Sequence, residues 1–193
     1  FLKGEATCHA GLMFRYGHRW REGDQLVAVD SEARVGFESR AAQAKDDELI
    51  RATLELAPTE AIPKKLDTLG VSPDGALVLV EVKDAKGSIA RAATQVAAHV
   101  ERFSRLMAAG DLRDTVQAML DQKRAAGLIP AGPDLAEAPR IVPWIAAPDD
   151  DPDWPASWVS VIDQLQQPVR DRLAGLRLVL LSADGEIEKE SSA

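Results

Sequence analysis

Ala76-Leu77-Val78-Leu79-Val80 is an unbroken apolar run that passes directly into Glu81-Val82-Lys83. An apolar run of this length predicts a strand covered on both faces, because a half-exposed strand would alternate. The same strand then has to carry Glu81 and Lys83 on one face, two residues apart, with Val82 on the other. Ionised groups at the end of a buried strand are costly unless they are paired, hydrated or bound to an ion. Any fold for this chain must therefore supply two covering layers and a polar opening at one strand end.

The residues before the run fix its neighbour. Ser72-Pro73-Asp74-Gly75 has Pro at the second and Gly at the fourth position, which predicts a type I turn with a glycine bulge. The two strands of the hairpin are expected over about 60–71 and 76–83. With Ser72 paired to Ala76, Asp67 falls opposite Glu81, where Cβ atoms stand roughly 5 Å apart. Two carboxylates so placed repel by up to about 3 kcal/mol at an effective dielectric near 20. A divalent cation bridging them reverses that sign. Magnesium is held in this way, through one or two carboxylates with substrate phosphate and water. Lys83, on the same face, is then placed to orient or deprotonate an attacking water or to steady phosphorane charge.

Around the hairpin the chain alternates strand and helix signals. Residues 12–37 read as short strands, notably 26–29 and 34–37. Residues 39–57 read as a helix capped by Ser39 and stopped by Pro58. Gly87-Ser88 precedes a long helix, in which Ile89, Ala93, Val96, Val100, Phe103 and Met107 recur at helical spacing before Gly110. Asp111 is expected to cap a further helix to about Ala126. A strand over 140–145, a helix over 156–174 kinked or split at Pro168, and a strand over 176–181 complete the order. That order predicts a three-layer α/β/α sandwich around a mixed sheet, with extra N-terminal strands. The expected division is an extension over 1–37 and a main domain over 38–193.

Asp67, thirteen intervening residues and Glu81-Val82-Lys83 on a hairpin followed by a helix resemble the motif of the PD-(D/E)XK nuclease superfamily, the restriction endonuclease-like fold. The resemblance covers about 46–110 by motif and 140–182 by element order. It implies magnesium- or manganese-dependent phosphodiester hydrolysis, with Asp67 and Glu81 as metal ligands and Lys83 as the catalytic lysine. Leu66 stands where the superfamily usually has Pro. Some members carry Gln-x-x-x-Tyr on the next helix; here Gln95 matches and His99 replaces the Tyr. The resemblance implies that Gln95 contributes to the site, with Arg91, His99 and Arg102 extending its polar strip. Many members also place a Glu on the first core helix. Glu48 is the expected one, sharing a strip with Ala41, Ala44 and Ala52, and Glu38 is its rival.

Composition narrows the partners. The chain has 193 residues, 46% of them hydrophobic, which excludes a disordered chain. Its net charge of −8 excludes a basic coating protein. The acidity is uneven: residues 1–132 carry 18 basic and 19 acidic side chains, and residues 133–193 carry 5 and 12. The first two-thirds can thus still present a local basic surface to an anionic partner. DNA is the expected partner, with RNA the alternative; a homodimer or a place in a longer chain stays open. The competing reading is a catalytically silent nuclease-like fold that serves as an interaction module.

Other signals are read as structural. The run Asp149-Asp150-Asp151-Pro152-Asp153 lacks the Gly and distal Glu of a calcium loop. Cys8, His9 and His18 are too few and wrongly spaced for zinc. Trp144, Trp154 and Trp158 are expected to pack in the interior. Arg15, Arg19 and Arg21 with Tyr16 and Trp20 are expected on a solvated strand face, phosphate contact being the lesser alternative. No apolar run approaches the roughly eighteen residues of a membrane helix, and Phe1 to His9 do not read as a secretory signal, so the cytoplasm is the expected compartment.

Overall fold

A computed structural model describes residues 5–83, 89–129, 131–148, 154–182 and 184–193. Gly87-Ser88 and the acidic run 149–153 lie outside the described residues. The elements in chain order are α1 (Glu5–His18), β1 (Val27–Ala33), α2 (Arg40–Thr53), β2 (Leu66–Val71), β3 (Leu77–Val82), α3 (Ile89–Ala109), α4 (Asp111–Ala125), β4 (Ile141–Pro148), α5 (Ala156–Asp163), α6 (Gln167–Arg172), β5 (Arg177–Leu181) and β6 (Ile187–Ser192).

The six strands form one mixed sheet in sequential order. β1, β2 and β3 pair antiparallel, β3, β4 and β5 run parallel, and β6 returns antiparallel to β5. Parallel pairing demands crossover connections, and α3–α4 and α5–α6 supply them. α1 packs Cys8, Leu12 and Tyr16 against Val78, Val80, Val82, Trp144 and Ala146 on one face. Helices α2–α6 contribute Ile50, Val96, Leu120, Ile162 and Val169, among others, to a larger core over Leu77, Leu79 and Ile145 on the other. Successive residues of β3 thus bury on opposite faces, as the unbroken apolar run requires. Trp144 and Trp158 are buried and Trp154 packs partly buried against the core.

The hairpin turn forms as expected. Ser72 N–H donates to Ala76 O at 3.0 Å and Gly75 N–H to Ser72 O at 2.9 Å. Gly75 has φ of 77°, and a Cβ there would lie 2.8 Å from Asp134 O, so both conformation and space call for glycine. Ser39 caps α2, its Oγ accepting from Ala42 N–H at 3.1 Å. Pro168 lies in the first turn of α6 and separates it from α5.

Three expectations are corrected. Strands are expected over 12–37, but Glu5–His18 is a helix, and β1 pairs directly with β2 within the same sheet. Cys8, Leu12 and Tyr16, spaced four apart, mark that helix. Arg15 accordingly sits on a helix, buried, and not on a solvated strand. It holds Asp24 at 2.6 and 2.5 Å and Glu186 at 2.5 Å, joining α1 to the β5–β6 hairpin. At α4 the cap position is taken by Gly110, with φ of 96°, and Asp111 opens the helix itself. β6 was not expected: its sequence, Ile-Glu-Lys-Glu-Ser-Ser, has no apolar alternation and joins the sheet edge through its backbone. Charged residues on such an edge oppose pairing with other chains.

Candidate functional site at the β2–β3 strand ends

The hairpin register brings Asp67 and Glu81 to the same end of adjoining strands. The ladder pairing ends at Thr68 with Val80, and the same register continued by one residue sets Asp67 opposite Glu81. Leu69 and Leu79, which share the parity of Asp67 and Glu81, belong to the core under α3, so both carboxylates emerge on that face. The ladder ends here in a side-chain contact: Asp67 Oδ2 accepts from Val82 N–H at 2.8 Å. On the other edge, Lys83 N–H donates to Ala146 O at 2.8 Å, which continues the β3–β4 pairing.

The Glu81 side chain is only 3% exposed and that of Lys83 13%, and Lys83 Nζ stands 3.0 Å from Glu81 Oε1. This ion pair offsets part of the repulsion between the two acids, and its burial makes it stronger than a surface pair of the same length. Beneath the pair, from the opposite face of the sheet, His9 of α1 reaches the Asp67 carbonyl oxygen at 2.7 Å. A carbonyl only accepts, so Nε2 carries the proton and donates. Linear spacing carries no sign of this contact, because α1 and β2 meet only through the packing of α1 on the sheet.

The polar strip of α3 has another task. His99 is buried and its Nε2 donates to Lys65 O at 2.9 Å. Burial, with the nearby Arg102 charge, pushes its pKa down to about 3, so it stays neutral. Arg102, 3% exposed, donates to Pro63 O at 2.6 Å, Asp46 at 2.8 Å and Asp47 at 2.7 Å. Arg91 and Gln95 line a small cavity of about 70 Å³ with Glu60, Ile62 and Pro63, and Gln95 Oε1 is buried without a hydrogen-bond partner among the described residues. The strip therefore forms a seam that holds residues 60–65, the approach to β2. His99, through the Lys65 carbonyl, holds the approach to the strand that bears Asp67, and Gln95 lines the cavity beside that approach.

The expected helix acid is corrected. Glu48 is exposed, and so are Ala41, Ala44 and Ala52, the strip assigned to the sheet side. The inward side of α2 runs instead through Asp46, Asp47, Ile50 and Leu54, with the two aspartates bound to Arg102 and Arg105. Glu38 is also exposed, ahead of the Ser39 cap. Among the described residues no group of three or more His, Cys, Asp or Glu side chains converges as a metal cage. Among the described residues the site offers two carboxylates, those of Asp67 and Glu81. That donor set suits a magnesium-like ion, which keeps waters and takes further oxygens from a phosphate, and does not suit zinc.

Comparison of the chain with protein-family models, with curated proteins and with solved structures finds no match. Among the described residues no helix is long and apolar enough to cross a membrane.

Proposed function

We propose that this chain is a divalent-cation-dependent nuclease-type domain of the PD-(D/E)XK kind, acting on DNA. One observation carries the reading: the β2–β3 register places Asp67 and Glu81 at the same end of adjoining strands, with Lys83 Nζ at 3.0 Å from Glu81 Oε1. Asp67 and Glu81 would hold magnesium or manganese. The ion, when bound, supplies Lewis acidity toward a phosphate oxygen and lowers the pKa of a bound water. Asp67 is held for this by Val82 N–H on Oδ2 and by His9 on its carbonyl. The Lys83 ammonium, steadied by Glu81, offers a cation to phosphate oxygens as negative charge builds on them. In the reaction an O–P bond forms from water, the P–O bond to the leaving strand breaks, and a proton ends on the leaving oxygen.

The test compares wild type and Lys83→Ala on double- and single-stranded DNA with magnesium, with manganese and with chelator. Cleavage by the wild type that is lost with chelator and lost in the variant supports the reading. Cleavage by Lys83→Ala at the wild-type rate sinks the role of the lysine. If the wild type shows neither cleavage nor a cation-dependent thermal shift that needs Asp67 and Glu81, the fold is a silent interaction module.

A further inference from the structure

A cavity of about 270 Å³ opens beside α2, lined by Arg34, Phe37, Ser39, Arg40, Lys64 and Arg102 among others, with no acidic side chain among the described residues of its wall. Arg102 is already bound to Asp46, Asp47 and Pro63 O and its charge is paired, so it forms a fixed wall of the cavity. Arg34, Arg40 and Lys64 differ: all three are exposed, and none forms an ion pair with a described residue. Glu32, the nearest acid to Arg34 in sequence, pairs with Lys65 at 2.7 Å and interacts with Arg34 only through space, without an ion-pair contact. In a chain of net charge −8, acids to neutralise these cations are plentiful. Arg40 and Lys64, with Arg34 only partly offset by Glu32, leave the cavity wall positive, and that repulsion is relieved when an anion enters. The first turn of α2 adds the positive end of a fourteen-residue helix to the same wall.

We propose that this cavity is a phosphate subsite for a nucleic-acid strand that runs to the Asp67–Glu81 pair. Its identification with substrate rests on the nuclease reading; the anion binding does not. Position favours it. Ala33 pairs with Leu66, so Arg34 leaves β1 and Lys64 enters β2 at the same end of the sheet as Asp67 and Glu81. From β1 to β3 is two strand spacings, roughly 10 Å, or a few nucleotides at about 3.4 Å each. The volume lies below the roughly 300–1,000 Å³ of pockets that enclose whole small molecules, which suits one phosphate and its sugar on a longer strand. Phe37 offers an aromatic wall against which a base or sugar can pack. Planar guanidinium groups match phosphate oxygens in pairs.

The test is binding without turnover. Fluorescence anisotropy of a labelled single-stranded DNA oligonucleotide is measured in chelator over a salt series, for wild type, Arg40→Gln/Lys64→Gln and a control, Arg140→Gln. Arg140 pairs with Asp74 at the opposite end of the hairpin, and all three substituted residues are exposed. The double variant should bind at least tenfold more weakly. Its slope of log affinity on log salt should fall by about 0.7 for each phosphate that the variant no longer neutralises. The control should match wild type. Absence of wild-type binding, or equal affinity and slope in the double variant, overturns the subsite. If a polyglutamate peptide of equal charge competes as well as the oligonucleotide, the cavity binds acidic chains in general and the nucleic-acid assignment falls. Weakened binding in the double variant, in a wild type that never cleaves with divalent cation, leaves the subsite standing and removes the nuclease reading alone.

Discussion

Replacing Arg102 by Met keeps much of the side-chain length and removes the charge and every donor. The guanidinium is 3% exposed and bridges three parts of the chain: Asp46 and Asp47 on α2, the Pro63 carbonyl ahead of β2, and α3 itself. Removing one partner from a buried pair costs about 3–5 kcal/mol. Two features pull toward the lower end. Asp46 keeps Arg105 at 2.6 Å, and the two aspartates are 19% and 15% exposed, so water reaches them. The Pro63 carbonyl is left without its donor, which adds about 1 kcal/mol or more. The expected loss is about 3 kcal/mol, or roughly 6–12 °C in Tm for a chain of this size. Urea unfolding followed by circular dichroism should show a lower midpoint at unchanged slope. Arg102→Met/Asp47→Asn should recover part of the loss, because the uncompensated charge is then gone. A loss under about 1 kcal/mol, or no recovery in the double variant, would refute the view that Arg102 ties α2 and the approach to β2 onto α3.

Three further outcomes follow from the same structure. His99 is held neutral with its pKa lowered to about 3, so the unfolded chain takes up a proton near pH 6.5 that the folded one refuses; stability should be full above that pH and fall by up to about 1.4 kcal/mol per pH unit below it, and between pH 7 and 5 His99→Gln should flatten the fall seen by denaturation. Gly70→Ala should cost about 1–3 kcal/mol by overpacking, since a Cβ there would meet Leu26 Cδ1 and lie 2.9 Å from Val27 O; a thermal melt equal to wild type would contradict that. Asp67→Asn keeps an acceptor for Val82 N–H and so should fold normally, yet lose the magnesium-dependent stabilisation, which for the wild type at a hundredfold excess over Kd is about 2.7 kcal/mol; an equal magnesium shift in both proteins, read by scanning fluorimetry, would remove Asp67 from the ion site.

Much of the architecture is legible along the chain where the signal is local. The hairpin follows from Pro73 and Gly75 at fixed offsets, and with the turn comes the register that sets Asp67 against Glu81. Ser39 marks the start of α2, Pro168 the break between α5 and α6, and the unbroken run into Glu81 the strand covered on two faces. These depend on turn chemistry, capping and side-chain period, each settled within a few residues. Tertiary packing decided the rest. Which side of α2 faces inward turned on Asp46 and Asp47 finding Arg102 and Arg105, residues more than fifty positions away, and not on the alanine strip beside Glu48. β6 exists because β5 offers an unpaired edge, not because its own residues prefer a strand. The His9 contact with Asp67 and the cluster of cations around the cavity arise from chain segments that meet only after the sheet has closed over its two cores. Local rules specify which segments are helix or strand; which charges end in pairs and which remain open to a ligand depends on distances that no linear spacing encodes.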